Sequence, residues 1–325
     1  GNARESARLC GRAGKPMKPI RIAIIGFGKI AADQHVPSIE GNPRFALAAS
    51  SSRSGKGPEP AFTDWRELVA SVDGLEAVAI TTPPKPRYAI ARECLEAGLH
   101  VLLEKPPCAT LSEIEDLACI AEARQRSLFA TWHARHNVAV EAAARALAGK
   151  RVESMEIRWH EDVRKWHPGQ QWIWEAGGFG VFDPGINALS IATAIFPGTL
   201  FVSGAKLSIP AGAETPVAAE IELGSPAANG PLACSLDWRR SEGEEWTINV
   251  RTEDGCEVLL TDGGAKLSID GVRQPANGPG EYPDIYNRFV QLIDERRSDV
   301  DVRPLRLVAD CLLVGGRESV DTVPA

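Results

Sequence analysis

An apolar run from Ile20 to Gly28 ends in a glycine fingerprint, and no other feature constrains the fold of this chain as tightly. Such a run reads as a strand buried on both faces, the kind found in parallel sheets with helices on either side. Gly26-Phe27-Gly28-Lys29-Ile30-Ala31 then spells G-x-G-x-x-A at the end of that strand and opens a helix over Lys29 to Gly41. Glycines there permit a tight turn and close approach of the backbone to a pyrophosphate, which the helix N-terminus holds with free N–H groups and a partial positive charge. The backbone of Gly26, Gly28, Lys29 and Ile30 is therefore the expected dinucleotide cradle. Alone, the string is shared by many strand-to-helix turns, so its weight depends on the rest of the chain.

Downstream the same rhythm repeats. Strands read at Phe45 to Ser52, Ala77 to Thr82, His100 to Lys105 and Leu128 to His133, with helices over Arg87 to Ala97 and Leu111 to Arg124. Repeated βαβ units imply a doubly wound parallel Rossmann sheet. After about Gly149 the pattern changes. Val152 to Val163, Leu200 to Ile209, Val217 to Leu223, Leu232 to Arg239, Trp246 to Thr252 and Cys256 to Leu260 read as strands. The only helices expected there are Pro184 to Phe196, Tyr282 to Arg297 and Pro304 to Gly315. Short connections favour a mostly antiparallel open sheet in a second α/β domain. With 325 residues the chain suits two domains. They read as a dinucleotide-binding unit over 17–135 and a substrate-binding unit over 136–325, after a disordered extension over 1–16 that lacks the apolar core of a secretory signal.

Composition removes other classes. A net charge of -7 opposes a nucleic-acid footprint, and no apolar run is long enough to span a bilayer. The seven cysteines are odd in number and form no C-x-x-C pair, which reads as reduced thiols in a cytoplasmic protein without a metal site.

The end of the second strand bears on the cofactor. An NAD enzyme usually places a carboxylate there for the ribose 2′-hydroxyl, whereas this chain reads Ser50-Ser51-Ser52-Arg53-Ser54. Ser52 and Arg53 suit a 2′-phosphate, so NADP is preferred and NAD tolerated; the bland reading of Arg53 is a solvated loop residue. At the carboxyl end of the fourth strand, Glu104-Lys105-Pro106 puts an amine where ligands of doubly wound sheets bind. There Lys105 can donate to a substrate oxygen or ease the loss of its proton. In the glycine-rich segment Gly177 to Asn187, Asp183-Pro184 reads as an N-cap followed by proline at the first helical position, with Asn187 on the same helix face. A carboxylate and an amide converging there could hold and deprotonate one hydroxyl.

Gly26-Phe27-Gly28, Glu104-Lys105-Pro106 and Gly178 to Asn187 together resemble the glucose-fructose oxidoreductase, inositol dehydrogenase and MocA family. In that family the aspartate is usually followed four residues later by histidine; Asn187 stands there instead, which shifts the base towards Asp183 or Lys105. Lys29 to His35, Phe129 to His133, Glu161 to Glu175 and Ser298 to Leu305 are similar to the branch of L-arabinose and D-galactose 1-dehydrogenases. The resemblance implies oxidation of a pyranose at its anomeric carbon, with Glu104 beside the cofactor. It also implies His133, Glu161, His167 and Trp246 beside the sugar, along with Lys105, Asp183 and Asn187. It further implies a homodimer through the open face of the second sheet, although the residues themselves leave the oligomeric state open.

The segment's own composition agrees. Trp159, Trp166, Trp172 and Trp174 interleave with Glu161, Asp162 and His167, and sugars are bound by such groups together with aromatic faces. Core packing remains the bland reading of any one tryptophan, as does a structural role for His133. The reading is an NAD(P)-dependent aldose 1-dehydrogenase acting on L-arabinose and D-galactose. Its rivals are a polyol dehydrogenase of the same family and a non-catalytic NADP sensor.

Overall fold

The computed structural model describes residues 17–321; the extension over 1–16 lies outside them. The first sheet is built from β1 (Ile20–Ile25), β2 (Phe45–Ser51), β3 (Ala61–Phe62), β4 (Ala77–Ile80), β5 (His100–Leu103) and β6 (Leu128–Ala130). All its pairings are parallel, in the order β3-β2-β1-β4-β5-β6. The order reverses between β1 and β4, and ligands of doubly wound sheets bind in the crevice outside such a switch. Around the sheet run α1 (Val36–Glu40), α2 (Trp65–Ser71), α3 (Pro84–Glu96) and α4 (Leu111–Ala123). A capping box, Thr110 with Glu113, starts α4.

The second sheet has nine strands: β7 (Val152–His160), β8 (Phe201–Pro210), β9 (Ala218–Gly224), β10 (Leu232–Asp237), β11 (Glu245–Thr252), β12 (Glu257–Thr261), β13 (Lys266–Ile269), β14 (Val272–Arg273) and β15 (Gly316–Val320). Only β7–β10 and β8–β15 pair in parallel; the other pairs are antiparallel. Along β7 Val152, Met155, Ile157 and Trp159 are buried while Glu153, Glu156 and Arg158 are exposed, the period-two pattern of a sheet covered on one face. Three helices lie against the covered side: α5 (Val140–Leu147), α7 (Phe182–Ile195) and α9 (Arg303–Val314). The short α6 (Val163–Trp166) follows β7. Helix α7 is apolar nearly all round, and a Cβ on Gly185 would stand 2.4 Å from Leu236 Cδ1. That contact presses the helix against β10.

Helix α8 (Glu281–Glu295) departs from the two-part division read at residue 135. It comes after the strands β7 to β14, yet Tyr282, Ile285, Tyr286, Phe289 and Leu292 pack on Ile22, Ile24, Phe45 and Phe129 of the first sheet. The chain thus returns to roof the dinucleotide sheet, and Asp299 beyond it bridges to Phe129 at that sheet's edge.

Two local expectations are corrected, and the short helices α2 and α5 join those expected. The run from Lys29 contains a π-helical turn, Ala31–His35, where a regular α-helix was expected. Helices α2 and α5 are short alanine- or tryptophan-bearing segments whose periodicity is too brief to stand out. Asp183 is not an N-cap: Val181 holds that position and Asp183 lies inside the first turn, its side chain drawn away from the helix amides. Pro184 is harmless there because first-turn N–H groups have no intrahelical acceptor. Among the described residues no helix is long and apolar enough to cross a membrane.

Candidate active site

The cradle at the switch point forms from backbone alone. Gly26 has φ +94°, and a Cβ there would lie 2.5 Å from Thr82 Cγ2 and 2.7 Å from the Thr82 amide, so the turn after β1 fits against the end of β4 only as glycine. At Gly28 a Cβ would meet nothing nearer than the Gly26 carbonyl at 3.9 Å. The chain's own packing therefore leaves that position open, as close approach by a pyrophosphate would require. Thr82 Oγ1, buried beside this turn, has no hydrogen-bond partner among the described residues. These features fit a dinucleotide. Lys29 pairs with Asp33 one turn along. At the end of β2, Ser52 Oγ donates to the Lys56 carbonyl at 2.8 Å and Arg53 is exposed. Lys56, which the sequence reading passed over, thereby joins Arg53 in one small turn.

Lys105 follows β5 at the same edge. Its Nζ lies 2.7 Å from the Asp183 carbonyl and 3.3 Å from Asp183 Oδ1. From the loop after α6, His167 Nε2 reaches Asp183 Oδ2 at 3.0 Å. Three segments far apart in sequence thus meet on one carboxylate. Burial alone would raise the Asp183 pKa, but the Lys105 ammonium and the His167 bond hold it well below the usual carboxylate range. Burial likewise pulls His167 down, and Asp183 outweighs it, leaving the imidazole above its ordinary value. The other ring nitrogen faces Gln170 Oε1 at 3.0 Å, and the Trp172 indole donates to that same oxygen at 3.0 Å. Gln170 therefore presents its oxygen, and His167 Nδ1 must carry a proton. Both ring nitrogens face acceptors, so the imidazolium satisfies them best.

Glu161 stands nearby, buried, with Trp246 Nε1 donating to it at 2.8 Å. Burial raises its pKa, only partly offset by the Trp246 bond and by Lys105, so two carboxyls of one site are pushed in opposite directions. Asn187, one turn beyond Asp183, has its Oδ1 buried without a partner among the described residues. His133 lies in another group: its Nδ1 is 3.3 Å from Glu281 and its ring stacks on Tyr282 at 5.5 Å. Glu104 turns inward to His35 and Tyr282. Among the tryptophans, Trp159 is core, while Trp166 is half exposed and meets Trp246 edge-on at 6.3 Å.

Comparison with known proteins matches residues 20–131 to the Gfo/Idh/MocA model, described as an oxidoreductase family with an NAD-binding Rossmann fold. Galactose 1-dehydrogenase of Pseudomonas fluorescens is 46% identical, over 94% of this chain and 99% of that protein. The chain belongs to the Gfo/Idh/MocA family. The crystal structure of D-galactose-1-dehydrogenase from Rhizobium etli superposes with a TM-score of 0.89 at 46% identity, covering 95% of this chain and 99% of that one. A 3-ketoreductase of Actinomadura kijaniata, crystallised with NADP, shares the fold at a TM-score of 0.77 and 17% identity, covering 93% and 100%. Asn187, one turn along α7, does not reach the aspartate; the imidazole on Asp183 is that of His167. The sequence placed His167 only beside the sugar, because nothing in a separation of sixteen residues and an intervening loop reports that its Nε2 meets Asp183.

Proposed function

We propose that this chain is an aldose 1-dehydrogenase that oxidises the anomeric carbon of D-galactose and L-arabinose to the lactone, with NADP preferred over NAD. The observation that carries the reading is the Lys105–Asp183–His167 cluster at the carboxyl edge of the Rossmann sheet, with Glu161 and Trp246 beside it. The names of the two 46%-identical relatives supply the substrate class. A bound nicotinamide supplies the hydride acceptor at C1.

The chain's own residues handle the proton. Lys105 donates to the C1 oxygen and favours its alkoxide, while Asp183 receives the hydroxyl proton. When His167 has lost its Nε2 proton, an ionised oxygen and a bare nitrogen face each other across 3.0 Å, a gap that accepts one proton readily. The dyad, more than either member, is the base. Asn187 Oδ1 is placed to accept a sugar hydroxyl, and Glu161 with a raised pKa can donate or accept. His133 is assigned to the sugar by resemblance alone, and Trp166 with Trp246 offers aromatic faces to the ring's C–H patches. On the cofactor, the amides of Gly26, Gly28, Lys29 and Ile30 hold the pyrophosphate, and Ser52 and Arg53 meet the 2′-phosphate. Glu104 serves the cofactor edge by fixing Lys105. In this reading 17–135 binds the dinucleotide and 136–325 the sugar, with α8 lent to the first. The reading places the enzyme in the cytoplasm as a homodimer through the open face of the nine-stranded sheet.

An aldose panel with both cofactors tests it. D-galactose and L-arabinose should be oxidised well and D-glucose poorly, because a misplaced C4 hydroxyl leaves buried polar groups unpaired. Comparable kcat/KM for glucose and galactose defeats the pocket argument, and myo-inositol as best substrate makes the protein a polyol dehydrogenase.

A further inference from the structure

The Lys29–His35 segment belongs to the cradle only at its start, and its far end does something else. The π-turn inserts one residue, which rotates the rest of the helix by about 100° relative to a regular one. His35 at its end is fully buried, with Nδ1 2.6 Å from Tyr286 Oη and Nε2 2.7 Å from Glu104 Oε1. Tyr282 Oη donates to the same Glu104 oxygen at 2.7 Å, and the Lys105 amide donates to Glu104 Oε2 at 3.1 Å. Burial opposes ionisation of Glu104, but the bonds from His35 and Tyr282 outweigh it and keep the carboxylate charged. A charged Glu104 only accepts, so His35 Nε2 carries the proton, while Nδ1 shares a hydrogen bond with Tyr286 Oη. Every polar atom of the group is then satisfied.

From the other side, the buried Arg87 guanidinium donates to the Glu104 carbonyl at 2.7 Å and to the Pro106 carbonyl. Lys105 is thus gripped by its amide and by the carbonyls on both flanks. Apolar side chains would join α8 to the first sheet without burying a carboxylate, and buried ionic groups contribute little net stability. What this network adds is a fixed direction for one backbone amide, the one whose side chain reaches Asp183.

We propose that His35 is a positioning residue for Lys105, acting through Glu104, with Tyr282 and Tyr286 of α8 completing the clamp. The inference rests on the reading of Lys105 as the group that holds the reacting oxygen. It makes the dinucleotide fingerprint, the catalytic lysine and α8 one mechanical unit.

The test is the rate at which an amine-acylating reagent labels Lys105 in the full chain, read by mass spectrometry against exposed lysines in the same sample. His35→Leu should raise that rate several-fold. His35→Gln, whose amide can donate to Glu104 and accept from Tyr286, should restore most of the protection. In parallel, His35→Leu should lower kcat by roughly tenfold or more while leaving the KM for cofactor unchanged, since small misplacements of a catalytic group are costly. Should His35→Leu not fold, Tyr286→Phe removes only the bond to Nδ1 and should move both readouts in the same direction. A destabilised His35→Leu protein that labels Lys105 at the wild-type rate overturns the proposal. A wild type that oxidises no aldose defeats the functional reading instead, and the labelling rates still decide this one.

Discussion

The two halves of the cleft are built on opposite plans. The dinucleotide cradle is backbone, made by consecutive residues of one turn, and its requirements are steric: room at Gly28, a left-handed turn at Gly26. The proton site is side chain, made by Lys105, Asp183 and His167 from three segments, and its requirements are electrostatic. A site of the first kind survives any fold that keeps the turn. The second exists only when α7 is pressed onto the sheet and the loop after α6 folds back over it.

The largest effect expected from that contrast is at Asp183. Asp183→Ala should lower kcat by roughly two or more orders of magnitude, as loss of a positioned base does, measured under cofactor saturation. The helix should keep its start, because Asp183 does not cap it. Near-normal turnover in this variant would reduce the electrostatic half to packing.

The two glycines separate sterics from binding. Gly26→Ala forces a Cβ against Thr82 at a positive φ and should destabilise the fold by about 1–3 kcal/mol. Gly28→Ala should leave the Tm unchanged and weaken dinucleotide binding. Equal Tm losses would show that Gly28 serves the chain and not a ligand.

Arg53 brings electrostatics into the backbone half. Arg53→Ala should weaken NADP by about 1.5–3 kcal/mol, the worth of bonds to a charged group, and barely touch NAD. Ser52→Asp should reverse the preference by repelling the 2′-phosphate. Titration calorimetry with both cofactors decides, and equal losses for both would make Arg53 structural.

The smallest effect is the pH response of His167. Its folded pKa is raised, so the ion pair with Asp183 contributes fully to stability below the unfolded imidazole value and is lost as pH rises through the folded one. The base form appears over that same window. kcat/KM should therefore rise with pH above about 6.5 while the Tm falls, and His167→Gln should flatten both. A kcat/KM profile left unchanged by that substitution would leave Asp183 as the base without its partner.

Much of this was legible in the residues. The βαβ rhythm and six of the nine strands of the second sheet, to within about three residues, follow from local periodicity and turn chemistry; β13, β14 and β15 are too short or too polar to stand out. Helix α8 was seen as a helix, but its partner was not, because an amphipathic face does not say which sheet it will cover. Asp183 was given a capping role by the proline after it, a local rule overridden by two cations.

The order of residues was enough to say what each element is and where backbone must approach a ligand, since both depend on residues a few positions apart. Which charges face one another was settled only by the packing of the whole chain. His167 on Asp183, His35 on Glu104 and Arg87 on the carbonyls either side of Lys105 are contacts across 16, 69 and 17 to 19 residues. Coulombic energy and desolvation depend on distance and burial, and neither is written in the order of the chain.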